Sequence, residues 1–484
     1  MSWILLFEII YIIILVLTIL RVLYDTRSGS KILAYILFIV LVPVVGMLFY
    51  FSFGINYRKR KLYSKKLVAD EPLRKEIKNR LQVYKEKLDT LGLLSKAHHN
   101  LSNFINSTSG SPLTGNNEVE LLLNGEEKFP KVLAAIEAAK SHIHLEYYIY
   151  EDDKTGNEIA ALLIKKAQEG VEVRFLYDDF GSHDLRKKFI KKLENAGVAT
   201  APFYKIKLYA LANRLNYRNH RKIIVIDGER SFVGGINMSD KYRNDTKNQD
   251  SLYWRDTHLM LKGPASLYLQ YLFLCDWNFC SKQQLEFGPK YFPEQPENKT
   301  IEKELLQIVP SGPDSNLPVI FYSLMQAIAS AKEKIWITSP YFIPGESLMD
   351  ALIIAAKSGV EVKLLVPGIS DSKMVNAAAR SYYSELLPHG VQIYLYNKGF
   401  VHAKTMVVDD KLAVVGSANM DYRSFDLNFE VNAVLFSENI NKKLQKAFEY
   451  DLTVASKINA EKWLNRPKYI HLWEKFVRLL SPFL

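Results

Sequence analysis

The stretch "FVHAKTMVVDD" (Phe400–Asp410) sets His402 and Lys404 two residues apart ahead of an apolar run, with Asp409 closing it. The same spacing occurs in "YRNHRKIIVIDG" (Tyr217–Gly228), as His220, Lys222 and Asp227. Residues i and i+2 of a strand point to one side, so each histidine shares a face with its lysine. Each aspartate stands at an odd spacing from its histidine. It points away from that face or lies past the strand end, and reads as a support for the architecture rather than a reacting group. These six residues form the candidate catalytic motifs.

The repeat extends beyond the motifs. "AIEAAKSHIHLEYYIY" from Ala135 matches "AIASAKEKIWITSPYF" from Ala327, and "GVEVRFLYDD" from Gly170 matches "GVEVKLLVPG" from Gly359. "GGIN" (Gly234–Asn237) matches "GSAN" (Gly416–Asn419). Order is preserved at offsets of 192, 189 and 182 residues, so the chain holds two copies of one domain. Each copy alternates strands with helices, which argues for α/β domains with largely parallel sheets. The polar segment from Ser281 to about Glu304 reads as the seam.

A phosphodiester held between two such copies meets two imidazoles, two ammonium groups and, from Asn237 and Asn419, two amides. Lysine and asparagine donors stabilise charge on the equatorial oxygens. One histidine can attack phosphorus while the other protonates the leaving oxygen. Gly234, Gly235 and Gly416 allow close backbone approach. No Walker-type loop implies ATP, and a site basic rather than carboxylate-rich implies no divalent cation, so no cofactor is expected.

Composition agrees with an anionic partner. The 484 residues carry a net charge of +11, are 48% hydrophobic and 24% charged, and suffice for two or three domains. Cys275 and Cys280 match no zinc pattern and read as buried thiols. Trp3–Val22 and Ile32–Ile55 are apolar runs of about bilayer-spanning length, roughly 20 residues. They predict a helical hairpin, with Pro43 and Gly46 placed to kink its second arm or make it partly re-entrant. Arg58, Lys59, Arg60, Lys61, Lys65 and Lys66 follow the second run, against Arg21, Arg27 and Lys31 around the linker. That bias places the N-terminus and the main body on the cytoplasmic side.

The motifs resemble those of the phospholipase D superfamily, whose signature is a duplicated H-x-K-x-x-x-x-D. The resemblance covers about Asn117 to Leu484. It narrows to the bacterial cardiolipin synthases on "PVVGMLFYFSFG" (Pro43–Gly54), "YWRDTHLMLKGP" (Tyr253–Pro264), "GSANMDYRSFDLNFEVN" (Gly416–Asn432) and the terminal "SPFL". The fold class so implied is α/β: an N-terminal transmembrane helical hairpin (1–57), a polar helical connector (58–116), and two tandem phospholipase D-like domains (117–290 and 305–484) with the active site at their interface.

The resemblance implies a phosphatidyltransferase that turns two phosphatidylglycerols into cardiolipin and glycerol in a bacterial cell membrane. By analogy His220 is the nucleophile, and His402 the acid and then the base; sequence symmetry also allows the reverse. The resemblance further places an orienting acid behind each histidine: Glu430, 28 residues after His402, and in the first half Asp256, 36 residues after His220. Ser417 offers a hydroxyl donor to the phosphate. Hydrolysis to phosphatidic acid, or another donor such as phosphatidylethanolamine, uses the same residues. A nucleic-acid substrate is disfavoured by the membrane hairpin and by the lack of a nucleic-acid module. In the tail, Tyr469, Trp473, Phe476, Val477 and Leu480 recur at helical spacing, which fits an interfacial helix and packing on the protein's own core equally well.

Overall fold

The computed structural model describes residues 3–26, 29–51, 57–203, 217–244, 252–294, 304–479 and 481. The chain divides into two compact units, residues 1–69 with 205–217 and residues 70–204 with 218–484. The first unit opens with α1 (Trp3–Asp25), α2 (Gly29–Leu41) and α3 (Pro43–Phe49). α1 is long and apolar enough to cross a membrane, with a mean hydropathy of 2.8.

The second apolar run is interrupted where Pro43 was expected to kink it or make it partly re-entrant. It breaks at Val42, because the next residue is a proline that cannot donate a backbone hydrogen bond. α3 then bends back, so that a Cβ on Gly46 would lie 2.6 Å from the Phe38 carbonyl oxygen. The expected pair of transmembrane helices is therefore one long helix and two short ones. Arg27 and the side chains of Lys31 and residues 58–65 lie outside what is described, so the charge bias across the linker is not visible here.

Helix α4 (Tyr57–Leu91) belongs to both units; α5 (Lys96–Ser109) follows. The first half then runs β1 (Thr114–Leu123), α6 (Asn124–Glu137), β2 (His142–Tyr147), α7 (Lys154–Gln168), β3 (Glu172–Asp178), α8 (Lys187–Asn195), β4 (Ala199–Phe203), β5 (Lys222–Ile226), β6 (Arg230–Gly234), β7 (Tyr253–Arg255), β8 (Thr257–Lys262) and α9 (Pro264–Cys280). The second half runs β9 (Glu304–Ser311), α10 (Val319–Ser330), β10 (Lys334–Thr338), β11 (Phe342–Ile343), α11 (Glu346–Lys357), β12 (Glu361–Pro367), α12 (Lys373–Leu386), β13 (Gln392–Tyr396), β14 (Gly399–Val401), β15 (Thr405–Val408), β16 (Leu412–Gly416), β17 (Met420–Asp421), α13 (Tyr422–Asp426), β18 (Glu430–Phe436), α14 (Glu438–Thr453), β19 (Ala455–Lys457), α15 (Ala460–Leu464) and α16 (Lys468–Arg478). Part of the expected seam, residues 295–303, lies outside the described residues.

One 15-stranded sheet runs through both halves, in the order β19-β13-β12-β10-β15-β16-β18-β9-β1-β8-β6-β5-β2-β3-β4. Read outward from the β9–β1 junction, the two halves repeat each other strand for strand, with β19 added at one edge. The sheet is mixed, not largely parallel as expected. Parallel pairs are confined to β2-β3-β4 and β10-β12-β13. Those strands have crossover helices between them, whereas β5 and β6, and β15 and β16, are joined by tight turns that force antiparallel pairing. Asp227 and Gly228 occupy the first turn at φ 55° and 69°, and Asp409 the second at φ 48°. Aspartate tolerates this left-handed region better than most side chains.

Two apolar cores lie against this sheet. Ile143, Leu145, Phe175, Ile224 and Phe232 belong to the first. Ile335, Ile337, Leu364, Val408 and Val434 belong to the second, together with Leu88, Leu101, Ile105 and Leu113. The last part of the expected connector is thus core: apolar residues at helical spacing on α5 find a partner in the second half. Helix α9 is buried from Pro264 to Trp277, which explains its apolar composition on every side. Cys275 within it is buried and Cys280 partly so, and neither forms a disulfide.

Candidate active site

His220 and Lys222 stand at the head of β5, and His402 and Lys404 just before β15. All four are buried. Each lysine turns back onto the carbonyl of its own histidine, Lys222 Nζ at 2.6 Å from His220 O and Lys404 Nζ at 2.5 Å from His402 O. The two motifs act on one another electrostatically: Lys404 lowers the pKa of His220, and Lys222 that of His402.

The acids come from opposite halves. His220 Nδ1 lies 2.9 and 3.0 Å from the two carboxylate oxygens of Glu430. His402 Nδ1 lies 2.7 Å from Asp256 Oδ2. The expectation of one acid per histidine within each half is corrected: the pairs cross. The backbone supplies the cause. The segment entering His220 pairs with the segment entering Glu430, through Phe429 N to Arg218 O (2.8 Å) and His220 N to Phe429 O (2.9 Å). β14, entering His402, pairs in parallel with β7, entering Asp256, and His402 N donates to Arg255 O at 2.7 Å. Each histidine is thus delivered beside the other half's acid.

The charges follow from burial. Burial holds the His220 imidazole down at about 4 against Glu430, and burial with Lys404 beside it holds His402 at about 3 against Asp256. Burial also lowers Lys222 to about 7 and Lys404 to about 8. For Asp256, burial raises the carboxyl pKa, but Lys404 and His402 outweigh it and keep the group below the ordinary range; His220 and Lys222 do the same for Glu430. The site therefore holds two carboxylates and two neutral imidazoles at neutral pH, with lysines that can gain protons. A bound phosphate group favours their charged forms. Calorimetric titration of a phosphate monoester at pH 8, in two buffers of unlike ionisation enthalpy, is expected to show net proton uptake. Equal heats in both buffers would contradict these low lysine pKa values.

Nδ1 of each histidine being committed to an acid, Nε2 is the nitrogen left for chemistry; among the described residues no hydrogen bond engages either Nε2. Tyr148 packs edge-on to His220 at 4.8 Å between ring centres, and Trp254 packs on His402 at 5.5 Å.

Asp227 and Asp409 do not join the site. They follow the strands that the histidine motifs begin, at the opposite strand ends from the histidines. Asp227 accepts backbone N–H groups of Lys140, Ser141 and His142 (2.9, 2.7 and 2.9 Å). Asp409 accepts those of Lys332, Glu333 and Lys334 (3.0, 2.8 and 3.1 Å). They hold the entry to the adjacent strand, so of the six motif residues only the histidines and lysines line the candidate site. Asp227→Ala or Asp409→Ala is expected to cost about 1.5–3 kcal/mol of stability. Thermal denaturation in detergent should show a lowered midpoint, with activity per folded molecule retained.

Ser417 is also corrected. Its hydroxyl donates to Glu430 Oε2 at 2.5 Å and accepts from Val431 N at 2.9 Å, so it orients the acid instead of meeting a phosphate. The matching position in the first half is Gly235, where a Cβ would lie 2.2 Å from Asp256 Oδ1. Asn237 gives one amide hydrogen to Tyr242 OH at 2.8 Å, and Asn419 bonds to Asp421. Sequence reasoning missed Tyr242, whose hydroxyl is 3.5 Å from His402 Nδ1. It also missed Asp178, which fixes Asn219 N at 2.9 Å beside His220. Tyr242 lies outside the repeated blocks, and Asp178, at the end of the "GVEVRFLYDD" block, is matched by Pro367 and not by a second acid.

Paired His–Lys motifs at the junction of a duplicated α/β fold, each imidazole backed by a buried acid, form a candidate phosphoryl-transfer site in a phospholipase D-like fold. The chain belongs to the family described as "Cardiolipin synthase, PLD-like domain", which matches residues 132–260 and 324–452. "Phospholipase_D-nuclease N-terminal" matches residues 9–54. The chain is 42% identical to a cardiolipin synthase of Alkalihalophilus pseudofirmus over 95% of its length and 90% of that protein's. It is 40% identical to the major cardiolipin synthase ClsA of Bacillus subtilis over 99% of both chains. Among solved structures it is similar in fold to a phosphatidylserine synthase of Haemophilus influenzae, with a TM-score of 0.59 and 15% identity over 80% of this chain and 99% of that one.

Proposed function

We propose that this chain is a cardiolipin synthase that transfers a phosphatidyl group from one phosphatidylglycerol to another. The observation that carries the reading is the crossed pair of acid-backed imidazoles, in a chain similar to cardiolipin synthases over nearly its whole length. His220 Nε2 attacks phosphorus, and the bond from phosphorus to the headgroup glycerol breaks. Protonated His402 gives its proton to that glycerol oxygen, leaving phosphatidyl-histidine and free glycerol. The burial that keeps His402 neutral is offset by the negative phosphodiester of the bound lipid. His402 then takes the proton of a hydroxyl on a second phosphatidylglycerol, whose oxygen displaces His220. One phosphoester replaces another, so the reaction needs no ATP.

Lys222, Lys404, Asn237 and Asn419 are assigned to the equatorial oxygens, where charge is redistributed in the transition state. Glu430, held by Ser417, orients His220, and Asp256 orients His402. The chain is anchored in a bacterial cell membrane by its apolar N-terminal helices. The body faces the cytoplasm, a reading supported by the six Lys and Arg between Arg58 and Lys66. This anchor favours a lipid over a nucleic acid as substrate.

The test is turnover of phosphatidylglycerol labelled in its headgroup glycerol by the detergent-solubilised protein. Equal amounts of cardiolipin and released glycerol are expected. Glycerol with phosphatidic acid would instead mark a hydrolase, and no product from phosphatidylglycerol would direct attention to another donor.

A further inference from the structure

Among the described residues, helix α16 leaves an apolar face exposed. Inward it presents Val477 and Glu474, both buried. Glu474 is held by Arg466 at 2.9 and 2.8 Å and by Arg380 at 3.3 Å. Arg478 closes the helix end on Glu385. The outward face carries Tyr469, Leu472, Trp473 and Phe476, at i, i+3, i+4 and i+7, and Leu479 one turn further. These five are 55–73% exposed. The expected stripe divides: Val477 packs inward beside the ion-paired Glu474, while Tyr469, Trp473 and Phe476 face outward. Leu480 lies outside the described residues.

The face has the composition of a lipid-surface contact. Aliphatic side chains stand beside a tryptophan and a tyrosine, which favour the headgroup level of a bilayer. Exposed Lys468 and Lys475 border it, and the only acid of the helix is the buried Glu474. A two-fold contact between copies of the chain would bring these lysines toward their own equivalents; an anionic bilayer surface receives them favourably. The face is also linked to the site. α16 packs on α12. The loop before α12 carries Asp371, whose carboxylate accepts the Tyr341 hydroxyl at 2.6 Å and which acts on Lys404. Ile369 and Met374, at the start of this same stretch, are exposed as well.

We propose that α16 is a membrane contact separate from the N-terminal anchor, lying in the headgroup–acyl boundary of a bilayer that contains anionic phospholipid. It would hold the Asp371 side of the site against the lipid surface from which substrate is drawn. This last point rests on the lipid-transfer reading above; the location of the helix does not.

The experiment uses the full chain in vesicles of phosphatidylglycerol and phosphatidylcholine. A nitroxide at Phe476→Cys, with Cys275 and Cys280 replaced by serine, reports depth through its accessibility to oxygen and to a water-soluble nickel chelate. The label is expected to favour oxygen in vesicles and the chelate in a detergent-free amphipol. Leu472→Glu/Phe476→Glu is expected to lower turnover of bilayer phosphatidylglycerol about tenfold, consistent with losing an interfacial contact. Turnover of a monomeric short-chain phosphatidylglycerol should be unchanged. A label equally open to the chelate in both media would overturn the proposal, as would spin–spin broadening that places α16 against a second copy. If the parent protein turned over neither substrate, the transfer reading would fail while the label still decided where α16 lies.

Discussion

His220→Ala and His402→Ala are each expected to lower cardiolipin formation by about four to six orders of magnitude, the loss typical when one member of a cooperating catalytic set is removed. The two variants should nevertheless differ in kind. Attack on phosphorus needs the nucleophile, whereas the proton delivered by the second histidine matters only when the leaving group is a poor one. A phosphatidyl ester of nitrophenol carries a leaving group that departs without a proton. With it, His402→Ala is expected to accumulate phosphatidyl-histidine and release nitrophenolate in a burst, because Nε2 of His220 remains oriented by Glu430. His220→Ala should release none. Mass spectrometry of the protein after quenching locates the adduct. An adduct on His402 in the His220→Ala variant would exchange the two roles without disturbing the rest of the mechanism.

The second large effect follows from the crossed acids. Glu430→Gln removes the charge that fixes the His220 ring, and Asp256→Asn does the same for His402. Loss of such an acid costs up to about 10⁴ in kcat when it alone sets the tautomer. Because the pairs cross, the variants should sort by partner and not by sequence half. Glu430→Gln should behave like His220→Ala and fail to form the adduct even from the nitrophenyl ester. Asp256→Asn should behave like His402→Ala and form it. Pairing within each half would give the opposite assignment, so one experiment separates the two arrangements. Both acids also sit among buried lysines, and their neutralisation leaves that positive charge uncompensated. Thermal stability is therefore measured alongside, and the comparison is made at a temperature where each variant is folded.

Much of the architecture was legible because it is written in local or repeated patterns. A two-residue spacing on a strand puts His220 with Lys222 and His402 with Lys404, and excludes the aspartates from that face. The duplicated blocks show two copies of one domain, whereas Asp256 and Glu430 were singled out from the other acids after each motif only by the family resemblance. Other expectations failed where neighbours in sequence and neighbours in space part company. Alternation of strands and helices suggested parallel sheets, yet the turns at Asp227 and Asp409 reverse the chain and make most pairs antiparallel. The break in the second apolar run was legible, since Pro43 cannot donate the backbone hydrogen bond that a continuous helix needs.

The sequence by itself determined the reacting groups, their duplication and the apolar start of the chain, because side-chain chemistry and strand periodicity are properties of short segments. The tertiary structure alone decided which acid serves which histidine, that Ser417 serves Glu430, and which face of α16 remains outside. The physical reason is that orientation and protonation depend on what lies across a contact. Glu430 reaches His220 over a separation of 210 residues because two backbone segments pair there, and no spacing along the chain encodes that meeting.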